Sequence, residues 1–341
     1  MKTVKIGING MGRIGRTILR SYSKRKLAGE FKDIQIVAVN NPGDLKAYFH
    51  VLKYDSLNGK FPGNIELKND NELFVNGEII KFYSTKEPTE IPWSSHQVDI
   101  VIDATGKFKD KEGLGKHLNG SVKKVIMCAP GKKLDGTFVM GINNHTYDNN
   151  KHHIISNASC TTNCLAPVAK VLSETFGIEN GFMTTVHAYT SDQNLLDNSH
   201  DDYRRARAAA MSMIPTSTGA AKALGEVIPE LAGKLDGYAV RVPTPDVSMV
   251  DLTVNLTKSV TKEEINKAMK EAALGKLKGI LSYEEEELVS IDYLGRPESS
   301  MFDSKLTNVI GKTAKVVSWY DNEYGFSNRV LDLAHFVGSK F

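Results

Sequence analysis

Hydrophobic and polar positions fall into two successive regimes along the chain. In the first, Val4 to Ile8 alternates as a strand, glycines follow at 10, 12 and 15, and residues 16–22 carry the period of a helix. Residues 34–39 form a β-branched run, and 98–103 and 122–127 repeat it, with 111–119 available as a crossover helix. Buried β-branched strands that alternate with helices predict a parallel sheet. Short polar-edged strands fill about 60–83, where Asn76-Gly77 marks a hairpin turn.

Beyond residue 150 the rhythm changes. Strand-like runs at 181–190, 238–244, 247–256 and 313–319 are interspersed with helical stretches near 162–176, 218–226, 262–274 and 326–338. This predicts an α+β unit with a mixed or antiparallel sheet. The chain therefore reads as an α/β protein with a Rossmann-type domain over 1–159, joined by a returning C-terminal helix over 324–341, and a second domain over 160–323.

Composition agrees with two domains: 341 residues suffice for two sizeable cores. Forty-three basic and 40 acidic residues leave a net charge of +3, too little to require a nucleic-acid partner. No run of 18 apolar residues predicts a membrane span, and the N-terminal run lacks the pattern of a secretory leader. Three cysteines cannot form a disulfide scaffold and fit a reducing, cytoplasmic setting.

Three regions carry candidate chemistry. The first is Gly10-x-Gly12-x-x-Gly15 between a strand and a helix, the context in which glycines admit a pyrophosphate to a helix N-terminus. At the end of the second strand, Asn41 stands where a carboxylate commonly accepts ribose hydroxyls; its amide can donate to a 2′-phosphate, or it can simply start a turn with Asp44 as the carboxylate. The second region is Ser159-Cys160-Thr161-Thr162-Asn163-Cys164, which opens a helix and favours a thiolate at Cys160. Cys164 reads as a buried structural residue, because the pair has no further ligand cluster for a metal. Among nine histidines, His187 alone lies in an extended apolar stretch and is the candidate base. The third region is Arg204-Arg205-Ala206-Arg207, the hydroxyl-rich Pro215 to Ala220, and Arg241, whose charge demands an anionic partner if buried.

These residues resemble the phosphorylating glyceraldehyde-3-phosphate dehydrogenases. The matching runs are Ile8 to Arg16, Leu52 to Ser56, Ser156 to Asn163, Arg204 to Ala209 and Trp319 to Glu323, and the likeness extends over essentially the whole chain. It implies a reaction of a small phosphorylated aldehyde and inorganic phosphate with a nicotinamide dinucleotide. Cys160 corresponds to the nucleophile and His187 to the base. Thr190 and Arg241 correspond to the site for the substrate's own phosphate; Ser159, Thr161, Arg205, Thr218 and Gly219 correspond to the site for inorganic phosphate. Asn9, Gly10, Gly12, Arg13, Ile14, Lys86, Thr105, Gly106 and Cys128 correspond to the cofactor lining. Asn322 matches the residue that holds the nicotinamide carboxamide, and Phe326 a position where tyrosine commonly packs beside the ring. The resemblance also implies a homotetramer in which residues 188–212 reach a neighbouring subunit's cofactor.

Two departures concern the cofactor. NAD-type members usually carry aspartate at the position of Asn41, and Leu-Pro at the position of Asn198-Ser199. Small and hydroxyl residues at the latter position resemble NADP-using relatives. NADP, alone or alongside NAD, is the resulting expectation. Erythrose-4-phosphate dehydrogenase shares the cysteine block and is the alternative; the neutral Asn41 and the complete phosphate-site set weigh against it.

Overall fold

The computed structural model describes residues 3–341, which divide into two compact units. Unit 1 comprises the residues up to Phe138, Asn144–Ala158 and Ser327–Phe341; unit 2 comprises Val139–Asn143 and Ser159–Phe326.

Unit 1 contains β1 (Val4–Asn9), β2 (Ile34–Asn40), β3 (Tyr54–Asp55), β4 (Gly59–Lys60), β5 (Ile65–Asn69), β6 (Glu72–Val75), β7 (Glu78–Tyr83), β8 (Ile100–Asp103), β9 (Lys124–Met127), β10 (Gly136–Thr137) and β11 (Ile154–Ser156). Nine of them form one sheet in the order β10-β11-β9-β8-β1-β2-β7-β6-β5. The strands from β10 to β7 run parallel, and β6 and β5 add an antiparallel edge. This is a Rossmann-type sheet, with the order reversing beside β1. Its central strands are buried on both faces, as their β-branched runs require. The Asn76-Gly77 turn between β6 and β7 has positive φ at both residues, the conformation a two-residue hairpin needs.

Helix α1 (Arg13–Leu27) begins directly after Gly12 and extends beyond the apolar run that announces it, because its last turn is polar and basic. Helix α2 (Leu45–Lys53) has no counterpart in the sequence reading: it buries only Leu45 and Leu52, so its periodicity is faint. The crossover helix expected over 111–119 is reduced to α3 (Lys111–Gly115), which carries two glycines.

Asp55 pins the glycine-loop end of α1 to the β3–β4 turn. It pairs with both Arg13 Nη1 (2.6 Å) and Arg13 Nη2 (3.4 Å), and accepts the N–H groups of Leu57 and Asn58. Burial alone would raise its carboxyl, but the Asn58 N–H and the Arg13 guanidinium outweigh that and hold it at about 2. A depressed carboxyl stabilises the fold above its ordinary value near 3.8, and that stability is lost as pH falls toward 2. Asp55→Asn is expected to cost about 1–2 kcal/mol near neutral pH, after allowance for solvent screening. Thermal melts at neutral pH and near pH 3 check this; the deficit should shrink at the lower pH.

Unit 2 is built on β12 (Ile178–Ala188), β13 (Ile214–Ser217), β14 (Leu235–Val242), β15 (Ser248–Leu256), β16 (Leu281–Glu284), β17 (Ser300–Ile310) and β18 (Thr313–Tyr320). They form one mixed sheet in the order β13-β14-β12-β15-β18-β17-β16, with β12 parallel to β14 and antiparallel to β15. Its helices are α4 (Cys160–Phe176), α5 (Ala220–Val227) and α6 (Lys262–Leu274). The long strand β17 is absent from the sequence reading because a register shift between Asp303 and Asn308 breaks its alternation. Helix α7 (Tyr324–Gly338) starts in unit 2 and continues in unit 1, where Asn328 accepts from Ser21 Oγ (2.7 Å) and Asp332 pairs with Arg25 (2.7 Å).

Candidate active site

Strand alternation and a helix cap place the reactive groups of unit 2. Along β12, Met183, Thr185 and His187 are buried, whereas Phe182 is 74 % exposed on the opposite face. The parallel register sets Arg241 of β14 beside His187. Cys160 opens α4 behind the cap residue Ser159, whose hydroxyl accepts the Thr162 N–H at 3.0 Å. Cys160 Sγ then lies 3.6 Å from His187 Nε2 and 4.0 Å from Thr161 Oγ1.

The proton positions follow from the partners. His187 Nδ1 is 2.7 Å from the Ala188 carbonyl oxygen, an acceptor only, and 3.1 Å from Arg241 Nη1, a donor only; the shorter contact, and the acceptors Arg241 Nη1 has in the same carbonyl and Thr190, assign the ring proton to Nδ1. Nε2 is left with a lone pair toward sulfur. Arg241 Nη1 donates to the same carbonyl at 3.1 Å and to Thr190 Oγ1 at 3.3 Å. Burial, and then the Arg241 charge, lower the His187 imidazole to about 3, which keeps it a neutral base. Burial pushes the Cys160 thiol up, while the Arg241 charge and the Thr161 hydroxyl and N–H pull it back. The 3.6 Å path between Sγ and Nε2 is short enough for one proton to pass between the two groups.

Several residues that sequence reasoning missed complete this setting. The Tyr320 hydroxyl bridges Thr161 Oγ1 and Thr185 Oγ1, each at 2.8 Å, and its ring meets His187 edge-on. Ser248 Oγ accepts the Ala188 N–H (3.1 Å) and donates to Asn322 Oδ1 (2.7 Å), so the Asn322 amide N–H₂ is the end left to present. A serine at the start of a strand gives no signal of this in sequence. Cys164 sits fully buried against Ser300 and the Ser318 carbonyl, with its thiol pushed up to about 12 by burial; it is a structural residue.

The anion candidates Thr190, Thr218, Gly219 and Arg241 lie on, or directly after, the neighbouring strands β12, β13 and β14. Arg241 Nε is buried without a hydrogen-bond partner, an open donor beside Thr190. Arg205 donates to Thr216 Oγ1 (2.9 Å), the Ser217 carbonyl (3.1 Å) and Asp192 Oδ2 (2.5 Å). That places its guanidinium at the strand leading into Thr218 and Gly219, ahead of α5; a Cβ at Gly219 would meet nothing within 4 Å. Asp192, unnoticed in the sequence, thus holds Arg205 by a charge-assisted bond. Asn198 and Ser199 lie in an exposed loop, where Asn198 Oδ1 accepts the Ser199 N–H (2.8 Å).

The glycine loop of unit 1 fits a dinucleotide's pyrophosphate. Gly10 has φ +100°, and a Cβ on Gly15 would stand 1.8 Å from the Gly10 carbonyl oxygen. Both positions therefore require glycine. A Cβ on Gly12 would meet nothing within 4 Å, leaving open approach to the N-terminus of α1, where Ile14 is half-buried. Asn41 Oδ1 accepts the Met11 N–H at 2.8 Å, and Asp44 is occupied in capping α2 through the Lys46 N–H. One oxygen of the exposed Asp44 is thus committed to the cap. Arg13, a candidate for phosphate, directs its guanidinium at Asp55 instead. Lys86, Thr105 and Gly106 are exposed. The Cys128 thiol is raised well above its ordinary value by burial and by the Asp103 carboxylate, so it is not an activated sulfur.

Two family models match the chain: the glyceraldehyde 3-phosphate dehydrogenase NAD binding domain over residues 4–111, and the corresponding C-terminal domain over 159–322. Glyceraldehyde-3-phosphate dehydrogenase 2 of Nostoc sp. is 55 % identical over 339 residues, covering 99 % of both chains. The enzyme of Geobacillus stearothermophilus is 55 % identical over 338 residues, again 99 % of both, and glyceraldehyde-3-phosphate dehydrogenase 1 of Bacillus cereus is 54 % identical over 337 residues, 98 % of this chain and 99 % of the relative.

Proposed function

The chain belongs to the glyceraldehyde-3-phosphate dehydrogenase family, and from that premise we propose how its residues divide the chemistry and which cofactor it prefers. It is an oxidoreductase that interconverts glyceraldehyde 3-phosphate plus inorganic phosphate and 1,3-bisphosphoglycerate through a catalytic cysteine. The observation that carries the residue assignment is the 3.6 Å approach of a thiol to an unprotonated imidazole nitrogen, beside a half-buried arginine whose buried Nε is an open donor.

Cys160 gives its proton to His187 Nε2 as Sγ adds to the aldehyde carbon. The carbonyl electron pair moves to oxygen, where the Cys160 backbone N–H and the imidazolium stabilise it. The proton then passes to that oxygen, which yields a hemithioacetal. When bound, the dinucleotide supplies the hydride acceptor that raises this adduct to a thioester. His187 Nε2 takes up the hydroxyl proton in that conversion. Ser159, Thr161, Arg205, Thr218 and Gly219 hold the inorganic phosphate that attacks the thioester carbon, and Cys160 Sγ is the leaving group. Thr190 and Arg241 hold the substrate's own phosphate, with Arg241 Nε finding its acceptor there. Asn322, turned by Ser248, offers its N–H₂ to the nicotinamide carboxamide, with Phe326 beside the ring. Nothing in this arrangement favours a tetrose substrate.

The dinucleotide seat consists of Asn9, Gly10, Gly12, Arg13, Ile14, Asn41, Lys86, Thr105, Gly106 and Cys128, with Asn322 and Phe326 at the nicotinamide. NADP is accepted alone or alongside NAD. Support comes from a neutral amide at Asn41, from Asp44 being engaged as a cap, and from the exposed Lys86 cation. A homotetramer is proposed as well. Leu195, Tyr203, Met211 and Met213, 75–88 % exposed in unit 2, are an apolar surface suited to self-association, through which Asn198 and Ser199 would reach a neighbour's cofactor. No helix of the described residues is long and apolar enough to cross a membrane. A free reactive thiol suits a cytoplasmic setting.

The test is a side-by-side measurement of kcat/KM with NAD and NADP, with and without phosphate. Turnover should stop when phosphate is omitted. Asn41→Asp should lower kcat/KM for NADP about tenfold, a loss of about 1.4 kcal/mol, and leave NAD within twofold. A strong NAD preference in the parent, untouched by the substitution, would refute the cofactor reading.

A further inference from the structure

A single buried carboxylate ties together every segment of unit 1 assigned to the dinucleotide. Asp103 ends β8 and is 2 % exposed. Its Oδ1 accepts the Thr105 N–H (3.1 Å) and the Thr105 hydroxyl (2.7 Å). Its Oδ2 accepts Asn9 Nδ2–H at 2.8 Å and lies 3.3 Å from His117 Nε2. The tautomer of His117 is dictated from its other side. The Trp93 indole N–H, which can only donate, is directed at His117 Nδ1 at 3.2 Å. Nδ1 therefore carries no proton, and Nε2–H donates to Asp103.

The network continues outward from Asn9. Asn9 Oδ1 accepts Asn40 Nδ2–H (2.8 Å). Asn40 in turn clasps Thr85, donating to its carbonyl (3.0 Å) and accepting its N–H (2.9 Å). Asn9 immediately precedes Gly10, Asn40 precedes Asn41, Thr85 precedes Lys86, and Thr105 precedes Gly106. Four separate loops are thus referred to one point. Trp93, His117, Asp103, Asn9 and Asn40 are all buried, whereas Thr105 is exposed. The Thr105 hydroxyl hydrogen is committed to Asp103, and its oxygen receives the Lys107 N–H at 3.1 Å. Oγ1 is consequently an acceptor only, and it faces a ligand as one.

We propose that Asp103, oriented by His117 and Trp93, is the positioning residue that preorganises the dinucleotide seat and presents Thr105 Oγ1 as an acceptor for a donor group of the ligand, such as a ribose hydroxyl. The proposal rests on the dinucleotide reading above. Its physical basis is that loops already held in their bound arrangement do not have to be ordered by the ligand. Without the carboxylate, the Thr105, Asn9 and His117 donors lose their common acceptor, and the four loops lose their common reference.

The experiment uses the full-length enzyme and measures dinucleotide Kd by calorimetry, together with KM for dinucleotide and aldehyde, kcat and the melting temperature. Asp103→Asn is expected to raise dinucleotide Kd and KM about tenfold or more, with kcat at saturating dinucleotide and aldehyde KM each within about twofold. Trp93→Phe keeps the ring but removes the N–H that sets the His117 tautomer; a rise of about threefold in dinucleotide KM, again with kcat retained, is expected. If Asp103→Asn melts earlier but binds the dinucleotide as tightly as the parent, the role is purely structural and the proposal is overturned. A fall in kcat with dinucleotide KM unchanged also overturns it. Should Asp103→Asn fail to fold, an unaltered dinucleotide KM in Trp93→Phe overturns it. Failure of the unsubstituted enzyme to bind either dinucleotide would instead refute the underlying cofactor reading.

Discussion

Replacement of Cys160 by serine is expected to lower kcat at least about 10⁴-fold while dinucleotide affinity stays within about twofold of the parent. The size of the effect comes from two properties of sulfur. A thiol gives up its proton to an imidazole 3.6 Å away far more readily than a hydroxyl does, and a thioester surrenders its acyl group to phosphate where an ester would not. The dinucleotide seat proposed above, on the glycine loop and strand ends of unit 1 with Asn322 and Phe326 of unit 2, does not include this side chain. Steady-state kinetics together with calorimetric binding separate the two consequences. Substantial turnover in the serine variant would remove Cys160 from the chemistry. Loss of dinucleotide binding in a folded variant would contradict the separation of roles.

His187→Asn is expected to cost about 10²–10⁴ in kcat/KM, the range for a lost general base. It should also raise the pH midpoint for alkylation of Cys160 by about one unit or more. The direction follows from the surroundings of the sulfur. Burial raises the thiol and the Arg241 charge and the Thr161 groups oppose it, while His187 Nε2, 3.6 Å away, is the acceptor for the proton that leaves. With the imidazole gone, the proton loses its internal acceptor and must leave for solvent against the effect of burial, so thiolate forms at higher pH. Iodoacetamide inactivation rates across the pH range give the midpoint directly. An unchanged midpoint would show that Arg241 and the start of α4 suffice without His187.

How much of this was legible beforehand depends on how local the cause is. The Gly10, Gly12 and Gly15 pattern, the cap Ser159 and the inward placement of His187 each follow from residues within one turn or one strand. Sequence shows such causes directly. The pairing of His187 with Arg241 depends on the register of two strands that are more than 50 residues apart in the chain, and the sequence offered only a charge in need of a partner. Ser248, Asp192, Tyr320 and His117 were passed over because their value lies wholly in tertiary neighbours. Arg13 shows a related limit. A basic residue beside a phosphate loop invites a ligand role, but a carboxylate 42 residues away engages it first. Strand β17 and helix α2 were missed for a related reason: a bulge and a mostly exposed surface erase the periodicities by which such elements are recognised.

The parallel pairing of β12 with β14 has a further consequence for timescale. His187 and Arg241 leave two interior strands of the sheet, so their separation is tied to a ladder of peptide hydrogen bonds and can change only if several of these open together. Amide protons around residues 185–187 should therefore exchange with solvent only through rare, cooperative opening. Those of the mostly exposed loop at 191–213, which no strand ladder protects, are expected to exchange faster. Base and cation therefore stay at a fixed distance through many turnovers.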